Sequence, residues 1–287
     1  MTPGSDNSPV EELEFRRDLY TGTARYYDRF RVPYPRSLAD DLAARAGADG
    51  EGRLLDLGCG PGLISFALHR HFGQIWAVDQ EPEMIDVVRE KAQAADIGSI
   101  RPLVADAAAL SAPDEEFDLV TIGNAFHRLP RTAVAARAWR WLRPGRFLAL
   151  LWSEGPWPGP APWQQVASQV ADEWQTRTGA SARIPAGYAA DREQRPDRDV
   201  LAGAGFEVVG SYTFPAVHEW TPDSLIGYAF STSTLSRSAL GRSAGSFEAD
   251  LRRALSAFAP ADPLTQTIRF AYDLARRPGP EPAIMSR

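Results

Sequence analysis

The chain has 287 residues but only one cysteine, Cys59, and one lysine, Lys91. A single cysteine excludes an intramolecular disulfide framework and a zinc site built from several thiolates, which favours a reducing compartment. No glycine-rich loop ends in Gly-Lys-Ser/Thr, and a Schiff base would have to form on Lys91. These absences argue against P-loop nucleotide hydrolases and pyridoxal phosphate enzymes.

A basic surplus and long apolar runs are also missing. The formal net charge is -6 and the isoelectric point is about 5.4, which disfavours nucleic acid as a partner. No apolar run approaches the roughly eighteen residues of a membrane span, and residues 1–18 are polar and acidic, unlike a signal peptide. We expect a cytoplasmic protein that binds neither membranes nor nucleic acid; a homo-oligomer stays open.

Proline, glycine and hydrophobic periodicity divide the chain into six segments. The two ends are predicted to be disordered because they are small, polar and proline-rich. The first folded segment reads as two short helices separated by Thr21-Gly22-Thr23, with Thr23 as a cap, and we expect it to act as a lid. The predicted segments are a tail (1–10), a helical lid (11–35), a cofactor-binding core (36–152), a Pro/Trp-rich insertion with a helix (153–197), final strands and helices (198–277) and a tail (278–287).

Strands and helices alternate in the core. Short, nearly all-apolar strands are predicted at 53–58, 75–80, 101–107, 117–124 and 146–152, with helices between them. This pattern predicts an α/β fold with a doubly wound, mostly parallel sheet. Farther on, 198–220 reads as a helix and a β-hairpin, and 221–236, 246–258 and 262–277 read as three helices.

The turn after the first strand carries a glycine-rich loop. The sequence LLDLGCGPGL runs from the strand directly into a helix, so Gly58, Gly60 and Gly62 let backbone N–H groups approach a ligand closely. Asp79 ends the second strand about twenty residues later, from where a carboxylate can accept bonds from both hydroxyls of a ribose. Together these features predict an adenosyl-binding site; the alternative is a tight turn that binds no ligand.

Three carboxylates fall at the same edge of the predicted sheet. Asp56, Asp79 and Asp106 lie at or near the carboxyl ends of the first three strands. Three negative charges would repel a pyrophosphate and attract a cation such as a sulfonium with a free amino group. A nicotinamide dehydrogenase is therefore the weaker interpretation, and the spacing GCGPG also differs from the usual dinucleotide fingerprint.

The motifs LLDLGCGPG, WAVDQEPEMI, VADAAAL, FDLVTIGNAFHRL and LRPGRFLALLW, in this order, resemble the class I S-adenosylmethionine-dependent methyltransferases over about residues 20–152. The segments YYDRFRVPYP and HEWTPDSLIGYAFSTSTLS resemble the subgroup that includes trans-aconitate and many bacterial natural-product methyltransferases. One departure is Arg146, where the family usually has a second glycine after Pro-Gly.

This resemblance implies a seven-stranded Rossmann-like sheet with a C-terminal antiparallel hairpin, S-adenosylmethionine as cofactor and no metal. It also implies roles for ten cofactor residues. They are Asp56, Gly58, Gly60 and Gly62 for the methionine part, Asp79 for the ribose, Gln80 and Met84 for the adenine face, Asp106 and Ala107 for the adenine edge, and Asn124 beside the amino group.

On the acceptor side, His127 is the candidate general base, because a hydroxyl acceptor must lose a proton whereas an amine or a carboxylate need not. The alternative is that His127 packs against the helix that begins near Arg131. Tyr20, Tyr26 and Tyr27 would cover the substrate or belong to the core of the lid helices. Phe126 and Trp152 are expected to face the same crevice.

The leading hypothesis is methyl transfer to an oxygen or nitrogen of a small molecule in specialised, antibiotic-type metabolism. Within the enzyme class, the alternatives are carboxyl methylation of a small polyacid and carbon methylation of a quinone precursor. A different class of hypothesis is a regulator that keeps the cofactor site without catalysis.

Overall fold

The computed structural model describes residues 12–258 and 264–279. The tail predicted at 1–10 and most of that predicted at 278–287 lie outside the described residues. Within the described residues, no helix is long and apolar enough to cross a bilayer.

Seven strands form one sheet, and the predicted fold class is confirmed. The order is β3-β2-β1-β4-β5-β7-β6; the first five strands are parallel, and β7 is antiparallel to both β5 and β6. The strands are β1 (Arg53–Leu57), β2 (Gln74–Asp79), β3 (Ile100–Val104), β4 (Phe117–Gly123), β5 (Leu142–Ser153), β6 (Glu207–Trp220) and β7 (Leu264–Arg276).

Helices cover both faces of this sheet. Those of the described residues are α1 (Ala24–Phe30), α2 (Arg36–Ala46), α3 (Leu63–Leu68), α4 (Pro82–Ala94), α5 (Arg131–Trp141), α6 (Pro162–Thr178), α7 (Tyr188–Gln194), α8 (Asp197–Gly203), α9 (Pro222–Phe230), α10 (Arg237–Leu240) and α11 (Ala244–Ser256). On one face, α2, α3, α4, α6, α9 and α11 pack in one hydrophobic cluster, and α5 and α8 pack on the other face.

The alternation of side chains along β1 explains why both faces are apolar. Leu54 belongs to the first cluster, whereas Leu55 and Leu57 belong to the second, because successive residues of a strand point to opposite faces. Leu119 and Val120 of β4 divide in the same way. The parallel strands therefore end at one buried edge, which is where the site forms.

The C-terminal part differs from the prediction. Residues 207–220 form the single long strand β6, not a hairpin, and the helix predicted at 262–277 is instead strand β7. The segment TIRFAYDLA places Ile268, Phe270, Tyr272 and Leu274 on one face, a period of two, and pairing with both β5 and β6 decides the conformation. The antiparallel pair is real, but its strands are joined through α9 to α11.

The N-terminal part contains one helix, not two. Residues 12–22 are irregular and end in turns, and α1 starts at Ala24. The Thr23 hydroxyl does not cap α1; it donates to the carbonyl of Tyr20 at 2.6 Å. A stretch this short cannot nucleate a helix alone, so tertiary contacts set its conformation.

Candidate functional site

A crevice opens at the carboxyl ends of β1, β2, β3 and β4, as expected for an open α/β sheet. Its open space, including the mouth, is about 800 Å³. We call it the first cavity. It is lined by Phe15, Arg16, Leu19, Tyr20, Tyr27, Gly58, Gly60, Asp79, Gln80, Glu81, Met84, Ala105, Asp106, Ala107, Gly123, Asn124, Ala125, Arg128 and Leu129.

The glycine loop lies against this cavity, and at Gly58 there is no room for a larger residue. Gly58 has a φ of +62°, and a Cβ on it would lie 2.8 Å from the Cβ of Ala125. The backbone N–H of Cys59 donates to the carbonyl of Val78, and that of Gly60 donates to the carboxylate of Asp79 at 2.8 Å. The loop is thus pinned to the end of β2.

Asp79 and Asp106 both present carboxylate oxygens to the first cavity. Asp79 accepts one bond from the Gly60 N–H and one, through its other oxygen, from the Glu81 N–H at 2.9 Å. Burial raises the pKa of Asp79. Asp106 accepts from the Ala108 N–H at 2.8 Å and lies 3.5 Å from the guanidinium of Arg17. Each carboxylate oxygen can accept a further bond.

Two of the ten predicted cofactor residues do not line the cavity. Asp56 has no exposed surface, and its carboxylate accepts bonds from the Ser65 N–H, the Ser65 hydroxyl and the Thr121 hydroxyl at 2.7–3.1 Å. Burial raises its pKa to about 6. Gly62 precedes α3, where a Cβ would meet Phe66 at 3.0 Å. Both residues position the first turn of α3 and do not face the cavity.

The other eight predicted cofactor residues line the first cavity: Gly58, Gly60, Asp79, Gln80, Met84, Asp106, Ala107 and Asn124. Asn124 has a φ of +50°, a conformation that non-glycine residues rarely adopt. Its amide nitrogen donates to the Tyr34 and Ser153 hydroxyls, and its oxygen accepts from the Ser153 N–H. These bonds hold Asn124 at the inner end of the cavity.

The N-terminal segment supplies one wall of the site. Tyr20 and Tyr27 line the first cavity, and so do Phe15, Arg16 and Leu19, which sequence reasoning missed. The segment is tied to α4 by four contacts. They are Thr21 to Glu81, the Gly22 N–H to Glu83, Arg25 to Glu90 and Asp28 to Lys91.

Three predicted substrate residues lie elsewhere. Tyr26 packs against Phe30 and Phe230, and its hydroxyl accepts from Arg237. Phe126 is buried in the cluster under α5. Trp152 is half-buried on β5 with the guanidinium of Arg269 5.1 Å from its ring centroid. Phe126 and Trp152 are not among the residues that line the two cavities, because a position near a strand end does not fix which way a side chain points. For Tyr26 these contacts favour the alternative that it belongs to the core of the lid helices.

A second cavity adjoins the first and shares the side chains of Phe15, Tyr20, Tyr27, Asn124 and Arg128 with it. Its open space is about 940 Å³. The remaining lining residues are Arg31, His127, Gln175, Ile184, Tyr188, Tyr228, Thr232, Ser233 and Thr234. The predicted insertion (153–197) thus contributes to the site through Gln175, Ile184 and Tyr188, which no sequence motif marks.

His127 lines this second cavity, but not as the expected base. Its Nε2 accepts a bond from Nε of Arg128 at 3.0 Å, so the lone pair that would take a proton is already used. Burial, together with Arg128, Arg192 and Arg131, lowers the pKa of His127 to about 3. This value contradicts the near-neutral pKa expected of a general base.

Comparisons with known proteins agree with this architecture. Residues 54–145 match a family described as a methyltransferase domain. A trans-aconitate 2-methyltransferase of Mycobacterium sp. is 30% identical over 163 residues, which cover 52% of this chain and 59% of that protein. A ubiquinone/menaquinone biosynthesis C-methyltransferase of Zymomonas mobilis is 29% identical over 54% of this chain and 66% of its own length. The matched region is thus about half of this chain and about three fifths to two thirds of these relatives.

Solved structures share the whole fold. A protein of Anaeromyxobacter dehalogenans, described as a candidate type II methyltransferase, superposes with a TM-score of 0.61 at 24% identity over 87% of this chain and 99% of its own. The cyclase SpnF superposes with a TM-score of 0.51 at 19% identity over 87% and 85%. Residues 54–145 thus carry a methyltransferase domain, and the chain around them shares the fold of these solved structures.

Proposed function

We propose that the protein binds S-adenosylmethionine in the first cavity and transfers its methyl group to an oxygen or nitrogen of a small molecule held in the second cavity. When bound, S-adenosylmethionine supplies a methyl group on a positively charged sulfur. The observation that carries this proposal is the acidic lining of the first cavity, above all Asp79, whose two oxygens each accept one backbone bond and can accept one more.

The first cavity fits this cofactor in charge. Asp79, Glu81 and Asp106 line it together, and Glu81 is 8% exposed and accepts a bond from the Thr21 hydroxyl. Arg16 and Arg128 also belong to the lining, and Arg16 is paired with Asp18. A sulfonium and an amino group gain from the three carboxylates, whereas the pyrophosphate of a dinucleotide would be repelled by them. The carboxylates come from two segments, the end of β2 and the turn after β3.

The chain's own contribution to the reaction is alignment and exclusion of water. Methyl transfer is an in-line displacement, so acceptor and methyl group must meet at one place. The two cavities meet at Tyr20, Tyr27 and Asn124, and the N-terminal segment closes over this junction. We infer that the acceptor atom approaches there, shielded from solvent by the tyrosine rings.

The state of His127 favours one alternative chemistry. A hydroxyl acceptor needs a base, and a histidine with a pKa of about 3 whose Nε2 already accepts a bond is a poor one. A carboxylate or a neutral amine needs no base. Among the alternatives, carboxyl methylation is therefore supported over methylation of an alcohol. The cyclase with the same fold shows why the reaction itself must be tested, since a fold alone does not fix the chemistry.

Calorimetry with S-adenosylhomocysteine tests the cofactor site. We expect micromolar binding and little affinity for NAD. Asp79→Ala should weaken binding about 10- to 100-fold because charge-assisted bonds to the ribose are lost. Asp79→Asn keeps an acceptor oxygen and should lose less affinity. The control is Asp86→Ala, on the exposed side of α4 beside Arg89, which should bind with unchanged affinity. Unchanged affinity in a folded Asp79→Ala variant, or tight binding of NAD, would overturn the assignment.

The cytoplasmic location and the role in specialised metabolism stay predictions. Neither affects the binding test above.

A further inference from the structure

Two arginines of the second cavity have no carboxylate partner. Within residues 12–258 and 264–279, no Asp or Glu oxygen lies within ion-pair distance of Arg31 or Arg128. Arg131, three residues after Arg128, is by contrast bound to Asp191 and Asp197 at 2.7 and 2.8 Å. Charged groups that leave water are normally paired, so two unpaired cations facing one cavity call for an explanation.

Arg31 is held with part of its guanidinium free. Its Nε donates to the Ser231 hydroxyl at 2.8 Å and its Nη1 donates to the Tyr228 hydroxyl at 2.9 Å. The guanidinium carbon lies 4.6 Å from the ring centroid of Tyr27 and 4.2 Å from that of Tyr228. Its Nη2 also donates to the Ser231 carbonyl at 3.5 Å. A guanidinium has five N–H donors, so two remain available. Stacking and neutral hydroxyls fix its position but do not neutralise its charge.

Arg128 is held in the same manner. Its Nε donates to Nε2 of His127 and its Nη1 donates to the Ser233 hydroxyl at 3.2 Å. Its guanidinium lies 5.0 Å from the ring centroid of Tyr20. A neutral imidazole and a hydroxyl again supply acceptors without a negative charge. Six side chains thus orient two cations that no carboxylate of the described residues neutralises.

The lining of the second cavity contains no Asp or Glu, in contrast to the acidic first cavity. Beside the two arginines it presents the rings of Tyr20, Tyr27, Tyr188 and Tyr228 and the hydroxyl residues Thr232, Ser233 and Thr234. Arginine forks match the oxygens of a carboxylate or a phosphate ester, and aromatic rings pack against a planar apolar body.

We propose that Arg31 and Arg128 bind an oxyanion group, a carboxylate or a phosphate ester, of a small acceptor whose apolar body packs on the tyrosine rings of the second cavity. The assignment of this ligand as the methyl acceptor rests on the proposed function. The binding of the anion does not, because it requires no methyl transfer. Arg31 and Arg128 are then the residues that select the substrate class.

Calorimetry with defined probes tests this site in the full chain, with and without saturating S-adenosylhomocysteine. The probes are benzoate, phenyl phosphate, citrate and neutral benzamide. Benzoate or phenyl phosphate should bind at least about tenfold more tightly than benzamide. The preferred one of these two tells carboxylate from phosphate, and stronger binding of citrate would assign a polyacid without an apolar body.

Single substitutions test whether the anion binds to Arg31 and Arg128. Arg31→Gln and Arg128→Gln should each lower the affinity for the preferred anion about tenfold or more, and Arg31→Lys should restore part of it. Arg29→Gln removes the same charge from an exposed position of α1 and should change nothing. Arg31 does not line the first cavity, so Arg31→Gln should bind S-adenosylhomocysteine normally, which also reports that the variant is folded.

Equal binding of benzoate and benzamide, no anion binding at millimolar concentration, or unchanged affinity in folded Arg31→Gln would each overturn the proposal. Anion binding without any S-adenosylhomocysteine binding would instead overturn the proposed methyl transfer and leave the anion site intact.

Discussion

The two cavities are neighbours that differ in their acidic residues. Asp79, Glu81 and Asp106 line the first together with Arg16 and Arg128, whereas Arg31 and Arg128 face the second without acidic partners in the part of the chain that the structure describes. Five side chains, Phe15, Tyr20, Tyr27, Asn124 and Arg128, belong to both. This difference shows how one crevice can position two ligands. A cationic methyl donor is attracted to one end and an anionic acceptor to the other.

The two cavities are built from different parts of the chain. The acidic cavity is built on strand ends and on short turns that the sheet holds rigidly. The basic cavity is built on the N-terminal segment, the end of α9 and the region around α7, which attach to the sheet through side chains. We expect the first cavity to vary little in shape and the second to depend on the ordering of these attached segments.

The largest effect we expect is a loss of stability on substitution of Asp56, which is buried under the first cavity and does not line it. Asp56→Ala leaves the Ser65 N–H and two hydroxyls without their buried acceptor, which should lower the free energy of unfolding by about 2–4 kcal/mol. Asp56→Asn keeps the shape and one acceptor oxygen and should cost less. Urea unfolding measures both. An unaltered stability with weakened S-adenosylhomocysteine binding would mean that Asp56 does face the cofactor.

Deleting residues 1–22 should affect both cavities at once. The deletion removes Phe15, Arg16, Leu19 and Tyr20 from the walls and should lower the affinity for S-adenosylhomocysteine at least about 30-fold, since each buried apolar side chain contributes about 2 kcal/mol or more. The matched control removes only residues 1–11 and keeps every residue that lines the two cavities.

Hydrogen exchange adds a second measurement to the deletion. If the N-terminal segment acts as the predicted lid, residues 12–35 should gain protection when ligands are added. Equal protection with and without ligands, together with full affinity after the deletion, would show that the segment is ordinary packing.

Asp106→Ala should have a smaller effect on cofactor binding to the first cavity. Asp106 is about one-third exposed, so water competes for its bonds, and the loss of S-adenosylhomocysteine affinity should be about 3- to 10-fold. The affinity for the preferred anion should not fall. Asp114→Ala, which breaks an exposed pair with Arg140, is the control. A fall in anion affinity would contradict the separation of the two cavities by charge.

Much of the first cavity is readable from sequence because it follows from strand ends. Gly58, Gly60, Asp79 and Asp106 come directly after or within parallel strands, and parallel strands place their ends at one edge. Asp56 follows the same rule but lies within β1, where alternation turns its side chain to the start of α3. One residue of displacement along a strand changes the face on which a side chain lies.

The second cavity could not be predicted in the same way. Arg31, Tyr188 and Ser233 come from segments more than forty residues apart, and no local pattern brings them together.

The wrong prediction of a helix where the structure has strand β7 has a related cause. The spacing of Leu264, Ile268 and Tyr272 fits a helix, and only the neighbouring strands select the period of two.

The smallest effect we expect concerns His127. In the structure its Nε2 accepts a bond from Arg128, so His127→Gln should lower the affinity for the preferred anion only about 2- to 5-fold, the loss of one hydrogen bond.

The pH dependence of stability gives an independent test of the protonation state of His127. The pKa of His127 is about 3 in the folded protein and about 6.5 in an unfolded chain. Above pH 6.5 the imidazole is neutral in both states; as the pH falls from 6.5 towards 3, the unfolded state takes up the proton first and stability is lost. Urea unfolding at pH 7.5 and pH 5 should therefore show a larger decrease for the unsubstituted protein than for His127→Gln. An equal decrease in both would mean that His127 protonates in the fold as an ordinary histidine does, which would return it to the role of general base and weaken the contrast between an acidic and a basic cavity.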